Sequence, residues 1–132
     1  MDGPTITVLE FSLGDERYCI DISHVEEIVD ADAEITPVPN ADPSVVGVLD
    51  LRGETTTIVD PKVPLDLDGD PEGDRIVVLA DVEATGLLID EVHEVIEADP
   101  EAVDDSTAGE STRGVLRHED RFVVWVDPLA LA

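Results

Sequence analysis

Two stretches 67 residues apart share one frame: GVLDLRGETTTIVDP from Gly47 to Pro61 and GVLRHEDRFVVWVDP from Gly114 to Pro128. Both open on Gly-Val-Leu and close on Val-Asp-Pro. At the same offset and without a gap, Val25 to Ala31 (VEEIVDA) lies over Val92 to Ala98 (VHEVIEA). Of the 65 residue pairs that the offset defines, 16 are identical, whereas a shuffled chain of this composition gives roughly 6. The period is too long for a solenoid, so the chain is read as a duplicated β unit. That constrains the fold severely. A chain of 132 residues makes one domain, or two very small lobes that share a core.

Both units follow the same plan. In the first, strands are expected over Ile6–Leu13 and Arg17–Ile22, joined by a Gly14-Asp15 turn. Ser23 is the expected N-cap of one helical turn over His24–Glu27. A short strand over Glu34–Thr36 leads into an irregular Pro37–Pro43 connection. A hairpin follows, Val45–Leu51 and Thr55–Val59, turning at Arg52-Gly53-Glu54. The second unit repeats the order over Arg75–Ala80, Thr85–Ile89, Val92–Glu97, Gly114–Leu116 and Phe122–Val126, its hairpin turning at His118-Glu119-Asp120, with a short helical turn over Pro128–Leu131. The expected organisation is a single domain over residues 5–132, with lobe one near 5–65, an acidic link at 66–74 and lobe two near 75–132. Small closed barrels suit short strands because closure removes exposed sheet edges. The pattern leaves open which strand closes which barrel, and terminal strands can be exchanged between lobes.

Charge narrows the partners. Asp and Glu number 33 against seven Lys and Arg, a formal net charge of -26. Such a surface repels itself in dilute buffer, and molar salt, with a Debye length of roughly 3 Å, screens most of that repulsion. With 42 % apolar residues the chain is no disordered acidic tail. A halophilic cytoplasmic protein is the expectation. Nucleic acid is excluded as a partner for want of a basic patch. No apolar run reaches the roughly 18 residues that a membrane span needs, and no signal peptide is visible. The single cysteine, Cys19, fits a reducing compartment and is read as core.

Three groups of residues carry a resemblance. The first is Phe11-x-Leu13-Gly14-Asp15-Glu16-x-Tyr18-x-Ile20-Asp21-Ile22 running on to Val25, Glu27 and Ile28. The second is Pro39, Pro43, Val46-Gly47-Val48 and Leu51-Arg52-Gly53, and the third is Val59-Asp60. Together they resemble the CheW-like adaptor family of chemotaxis, over nearly the whole chain. The resemblance implies an all-β fold of two five-stranded, SH3-like barrels on a shared apolar core, with short helical turns. It also implies a non-catalytic scaffold, without cofactor or metal, that couples the cytoplasmic tip of a chemoreceptor to the regulatory domain of the histidine kinase CheA. The protein is then expected in the cytoplasm at membrane-associated receptor arrays, without inserting into the membrane. By the family's pattern, receptor or kinase binding falls to Val25, Ile28, Leu51, Arg52 and Gly53. Two departures bear on partner choice: Asp50 stands where the family usually has Asn, and Thr55-Thr56-Thr57 replaces an apolar strand.

Other readings compete. A CheW-like protein can serve a signalling array unrelated to motility. A small β-barrel enzyme would have to use Glu27, Glu94 or a histidine, but no recognisable catalytic arrangement accompanies them. His24, His93 and His118 show no metal-ligand spacing. Glu27 and Glu94 recur at one place in both units, which favours a structural role. The acidic link glances at a calcium loop, but Pro71 and Val77 occupy its required Gly and Glu positions.

Overall fold

The computed structural model describes residues 5–31, 35–67, 73–109 and 111–131. Glu34, where the short strand was expected to begin, and Asp68, Asp70 and Pro71 of the link lie outside the described residues. Eleven strands are present among those described: β1 (Ile6–Leu13), β2 (Glu16–Asp21), β3 (Val25–Asp30), β4 (Val45–Leu51), β5 (Glu54–Val59), β6 (Arg75–Leu79), β7 (Thr85–Ile89), β8 (Glu91–Ala98), β9 (Val103–Asp104), β10 (Thr112–His118) and β11 (Arg121–Val126). A short helix, α1 (Pro128–Leu131), ends the chain as expected.

The strands form one six-stranded sheet in the order β8-β1-β2-β11-β10-β9 and one five-stranded sheet in the order β3-β6-β7-β5-β4. Neither sheet is drawn from one half of the sequence. The β1–β2 hairpin of the first half sits among strands of the second, and the β6–β7 hairpin of the second half sits among strands of the first. In the smaller sheet, Thr36 bridges Val48 of β4 through hydrogen bonds of 2.8 and 2.9 Å. The chain leaving β3 therefore returns to the far edge and closes the barrel. In the larger sheet, β8 runs through a 3-10 turn at Pro100–Ala102 to β9, which pairs with β10.

This topology explains a pattern that alternation alone does not. Strands β6 and β7, RIVVL and TGLLI, are buried at nearly every position, as expected of strands covered on both faces. Ile76, Val78 and Leu88 fill the smaller barrel with Leu49 and Ile58. Val77, Leu79, Leu87 and Ile89 face the other way, into a core shared with Leu9, Phe11, Leu13, Tyr18 and Ile20 of the larger sheet. Val8, Cys19, Ile96, Leu116 and Val123 fill the larger barrel. The shared apolar core thus lies between the lobes, on the hairpins they exchange.

One expectation is corrected. The helical turn placed over His24–Glu27 is a 3-10 turn at Ile22–His24, capped by Asp21, whose side chain accepts from the Ser23 N–H at 2.9 Å. Val25 to Asp30 is strand, pairing antiparallel with β6. The β-branched Val25, Ile28 and Val29 suit a strand, and the repeat already placed them over the β8 sequence.

The glycines that open the repeated frame have a packing reason. A Cβ on Gly47 would lie 2.3 Å from the Thr36 carbonyl oxygen, and one on Gly114 2.8 Å from that of Asp104. Each glycine sits at a register shift, between Val45 and Gly47 and between Thr112 and Gly114, where the returning chain passes over the hairpin. Gly47→Ala and Gly114→Ala should each destabilise the fold by about 1–3 kcal/mol, read as a lower urea midpoint at constant slope. Unchanged midpoints would mean that the barrel closes without this close approach.

Candidate functional site

The β4–β5 hairpin turns on two residues, Arg52 (φ 53°) and Gly53 (φ 87°), both left-handed. Two such residues make the tight turn whose twist matches a hairpin. Glycine adopts that conformation freely, but arginine needs support. Asp50 supplies it, its carboxylate accepting from the Gly53 N–H at 2.7 Å in the manner of a side-chain-stabilised turn. The departure at Asp50 thus keeps the hydrogen-bonding role that an Asn would fill.

The turn projects Arg52 outward, its side chain 71 % exposed. Its guanidinium donates to the Glu27 carboxylate on β3. This contact joins the hairpin tip to the opposite edge of the five-stranded sheet. The hydrogen bond from Arg52 holds the Glu27 carboxyl below the ordinary carboxylate range, so both groups are charged at neutral pH. A shallow cleft of about 180 Å³ opens beside the pair, lined by Glu26, Leu51, Glu54 and Val78.

The structure brings Leu51, Arg52 and Gly53 together with Glu27. Leu51 is half-buried against the barrel interior. Val25 is half-buried and packs on the inter-lobe core. Ile28 is 39 % exposed and, by strand alternation, faces away from the side that Glu27 takes. Across a register shift Val25 and Ile28 stand opposite Leu79 and Val77, so they share the inter-lobe face of β3, while Leu51, Arg52 and Gly53 form the turn at the other edge of the sheet.

Lobe two presents the same frame with its charge reversed. Glu119 and Asp120, at φ 47° and 65°, take the turn positions of Arg52 and Gly53. Glu94 on β8, the counterpart of Glu27, lies 3.2 Å from Nε2 of His118. Glu94, His118 and Glu119 bring potential ligand atoms within 4.8 Å of one another, the one grouping with metal-ligand chemistry among the described residues. Glu119 also lies 3.6 Å from an Arg121 guanidinium nitrogen, so its charge is matched without an ion. Glu27 and Glu94 are both engaged in tying a hairpin turn. Burial, with the Glu10 carboxylate nearby, pushes the Cys19 thiol up to about 12, leaving it unreactive at neutral pH.

A second surface was not singled out by sequence. Phe122, on β11, is 69 % exposed, and Arg117 of β10 stands opposite it in register. With Ala102, Val103 and Val115 they line an open groove of about 440 Å³. The FVVWV run is apolar throughout, so its pattern does not say which residues face out. The repeat held a weak signal, since Phe122 and Arg117 fall over Thr55 and Asp50. A part-buried ion pair, Lys62 with Asp90 at 3.3 Å, lies where the lobes meet; Asp90 also accepts from the Gly14 N–H at 2.5 Å.

Comparison with known proteins gives a consistent result. A family model described as CheW-like domain matches residues 7–132. The chain is similar to the chemotaxis protein CheW of Rhizobium meliloti, 31 % identical over 130 residues that cover 91 % of this chain and 83 % of that protein. It is similar to the chemotaxis protein CheW of Thermotoga maritima, 26 % identical over 127 residues with the same coverage, 91 % and 83 %. Among solved structures, the scaffolding protein TtCheW from Thermoanaerobacter tengcongensis superposes with a TM-score of 0.83 at 25 % identity, covering 94 % of this chain and 90 % of that one.

Proposed function

The chain belongs to the CheW-like family, and from that premise we propose how this chemotaxis adaptor, which couples receptors to the kinase CheA, divides two partners between two surfaces. The tip of a chemoreceptor docks at the Arg52 turn and β3 of lobe one. The regulatory domain of CheA docks on the Phe122 groove of lobe two. Among the described residues no helix is long and apolar enough to cross a membrane, and the protein reaches receptor arrays in the cytoplasm by binding to them.

The observation that carries the reading is Arg52. It is one of seven cations in a chain with 33 acids, it is held outward by a strained two-residue turn, and the duplicated turn carries an acid instead. A planar guanidinium with donors to spare suits a carboxylate or a helix-end carbonyl of the receptor tip. The Phe122 groove supplies the apolar anchor that a domain–domain contact needs, with Arg117 at its rim.

Binding of the purified chain to a receptor-tip fragment and to the CheA regulatory domain, in concentrated KCl, tests both assignments. Arg52→Glu should weaken receptor binding roughly 30-fold with thermal unfolding unchanged, and Phe122→Asp should do the same to kinase binding alone. Receptor affinity untouched by Arg52→Glu, or a collapse in melting temperature with binding intact, would remove Arg52 from the interface. The net charge of -26 supports adaptation to a cell interior of high salt, for the screening reason already given.

A further inference from the structure

We infer that the protein is a fused pair of exchanged half-chains, so that the two lobes are obligate folding partners and the link at 66–74 is dispensable for holding them together. The sheet orders carry this. Laying the larger sheet on the smaller matches β8 with β3, β1 with β6, β2 with β7, β11 with β5 and β10 with β4, while β9 takes the place of the Thr36 bridge. Both sheets contain one parallel pairing at the same point, β11 with β2 and β5 with β7. Both shift register just before the repeated glycine. The molecule therefore has a pseudo-two-fold axis that relates its halves, and across it each half lends its first hairpin to the other half's sheet.

An exchange of identical elements between protomers is how a domain-swapped dimer is built. Here the two protomers share one chain. Each lent hairpin is tied to its own half by very little: the 3-10 turn Ile22–His24 after β2, and Asp90 alone between β7 and β8. It is held in place by burial on both faces. In the first hairpin, Val8 and Cys19 fill the other half's barrel while Leu9, Phe11, Tyr18 and Ile20 fill the inter-lobe core. Beside a bare hairpin the first half on its own would keep three strands and the second four, the two-residue β9 included, and an isolated two-stranded hairpin is marginal in water. A mechanical consequence follows. The lobes cannot hinge apart, because opening the angle between them would pull a central hairpin out of each sheet. A partner that grips one lobe therefore holds both as one rigid body.

The test uses the whole chain with a site for a specific protease in place of residues 68–72, cut after folding. In about 3 M KCl, chosen for screening, the two pieces should elute as one 1:1 particle with an unchanged circular dichroism spectrum. Thermal unfolding should remain a single transition, and its midpoint should now rise with protein concentration, as it must when folding is also association. Pieces that separate under native conditions, or two transitions independent of concentration, would overturn the inference. A circular permutant gives an independent readout. It starts at Gly73 and ends at Leu67, with Leu131 joined to Thr5 by a copy of the 66–74 link, a junction that the pseudo-two-fold relates to the natural one. It should show the same spectrum and one transition; a permutant that stays unfolded would overturn the fused-pair reading.

Discussion

Arg121→Met should lower the melting temperature by roughly 5 °C for a domain of this size. The reason lies at Glu10, whose side chain on β1 has no exposed surface. Arg121 of β11 donates to it from Nε at 3.2 Å and from Nη2 at 2.8 Å, and Arg17 of β2 donates at 3.1 Å. Methionine keeps most of the packing volume and strips the buried carboxylate of its two-pronged partner, leaving Arg17 alone. A fall of under about 2 °C would show that Arg17 and water together satisfy the carboxylate. The same group sets part of the acid limb. Burial pushes the Glu10 carboxyl up, but the hydrogen bonds and charges of Arg121 and Arg17 outweigh it and hold the group below its ordinary value. A depressed carboxyl contributes stability that is fully present above its unfolded value of about 4.3 and is lost as pH falls through the folded one. Urea midpoints measured downward from about pH 5 should therefore fall more steeply for the wild type than for Glu10→Gln. Relief of general acidic repulsion affects both proteins alike, so the difference isolates Glu10.

Removing salt should have an even larger effect. With 33 acids against seven cations, self-repulsion in dilute buffer reaches several kcal/mol, comparable with the roughly 5–15 kcal/mol that holds an ordinary domain together. Melting temperature should rise steeply between about 0.1 and 1 M KCl, as the Debye length shrinks from roughly 10 to 3 Å, and then level off. The Glu10–Arg121 pair, with its carboxylate buried and its guanidinium 35 % exposed, is screened less than pairs of surface charges, so Arg121→Met should lower the melting temperature at both ends of the range. A melting temperature flat across that range would remove the case for adaptation to high salt. It would also imply that the acids are neutralised locally, by pairs such as Arg75 with Asp30, more than by screening.

Much of the candidate site was legible before any coordinates. The repeat located both hairpin turns, and the break in the repeat at Arg52 marked the residue that now stands outward on a left-handed turn. Glu27 was noticed because Glu94 recurs, yet its partner was not, since 25 positions separate Glu27 from Arg52 and no pattern of short period spans that gap. The helical turn misplaced over His24–Glu27 shows another limit. A capping residue was present, but Asp21 rather than Ser23 does the capping, and pairing with β6 decides that the next residues are strand. Phe122 was hidden for a simpler reason: in a run apolar on both faces, only the packing tells which face meets water.

By itself, then, the sequence determined the class of the fold, its duplication, the two hairpin turns and the family. Each of these is written in local spacing or in a repeat that can be read along the chain. Tertiary structure decided which sheet receives each hairpin, and with it the shared core, the Arg52–Glu27 contact and the Glu10–Arg121 pair. Strands such as RIVVL and TGLLI, apolar on both faces, are equally suited to either barrel. What selects between the two is burial of both faces at once, and that is settled only when residues as far apart as Glu10 and Arg121, 111 positions along the chain, come into contact.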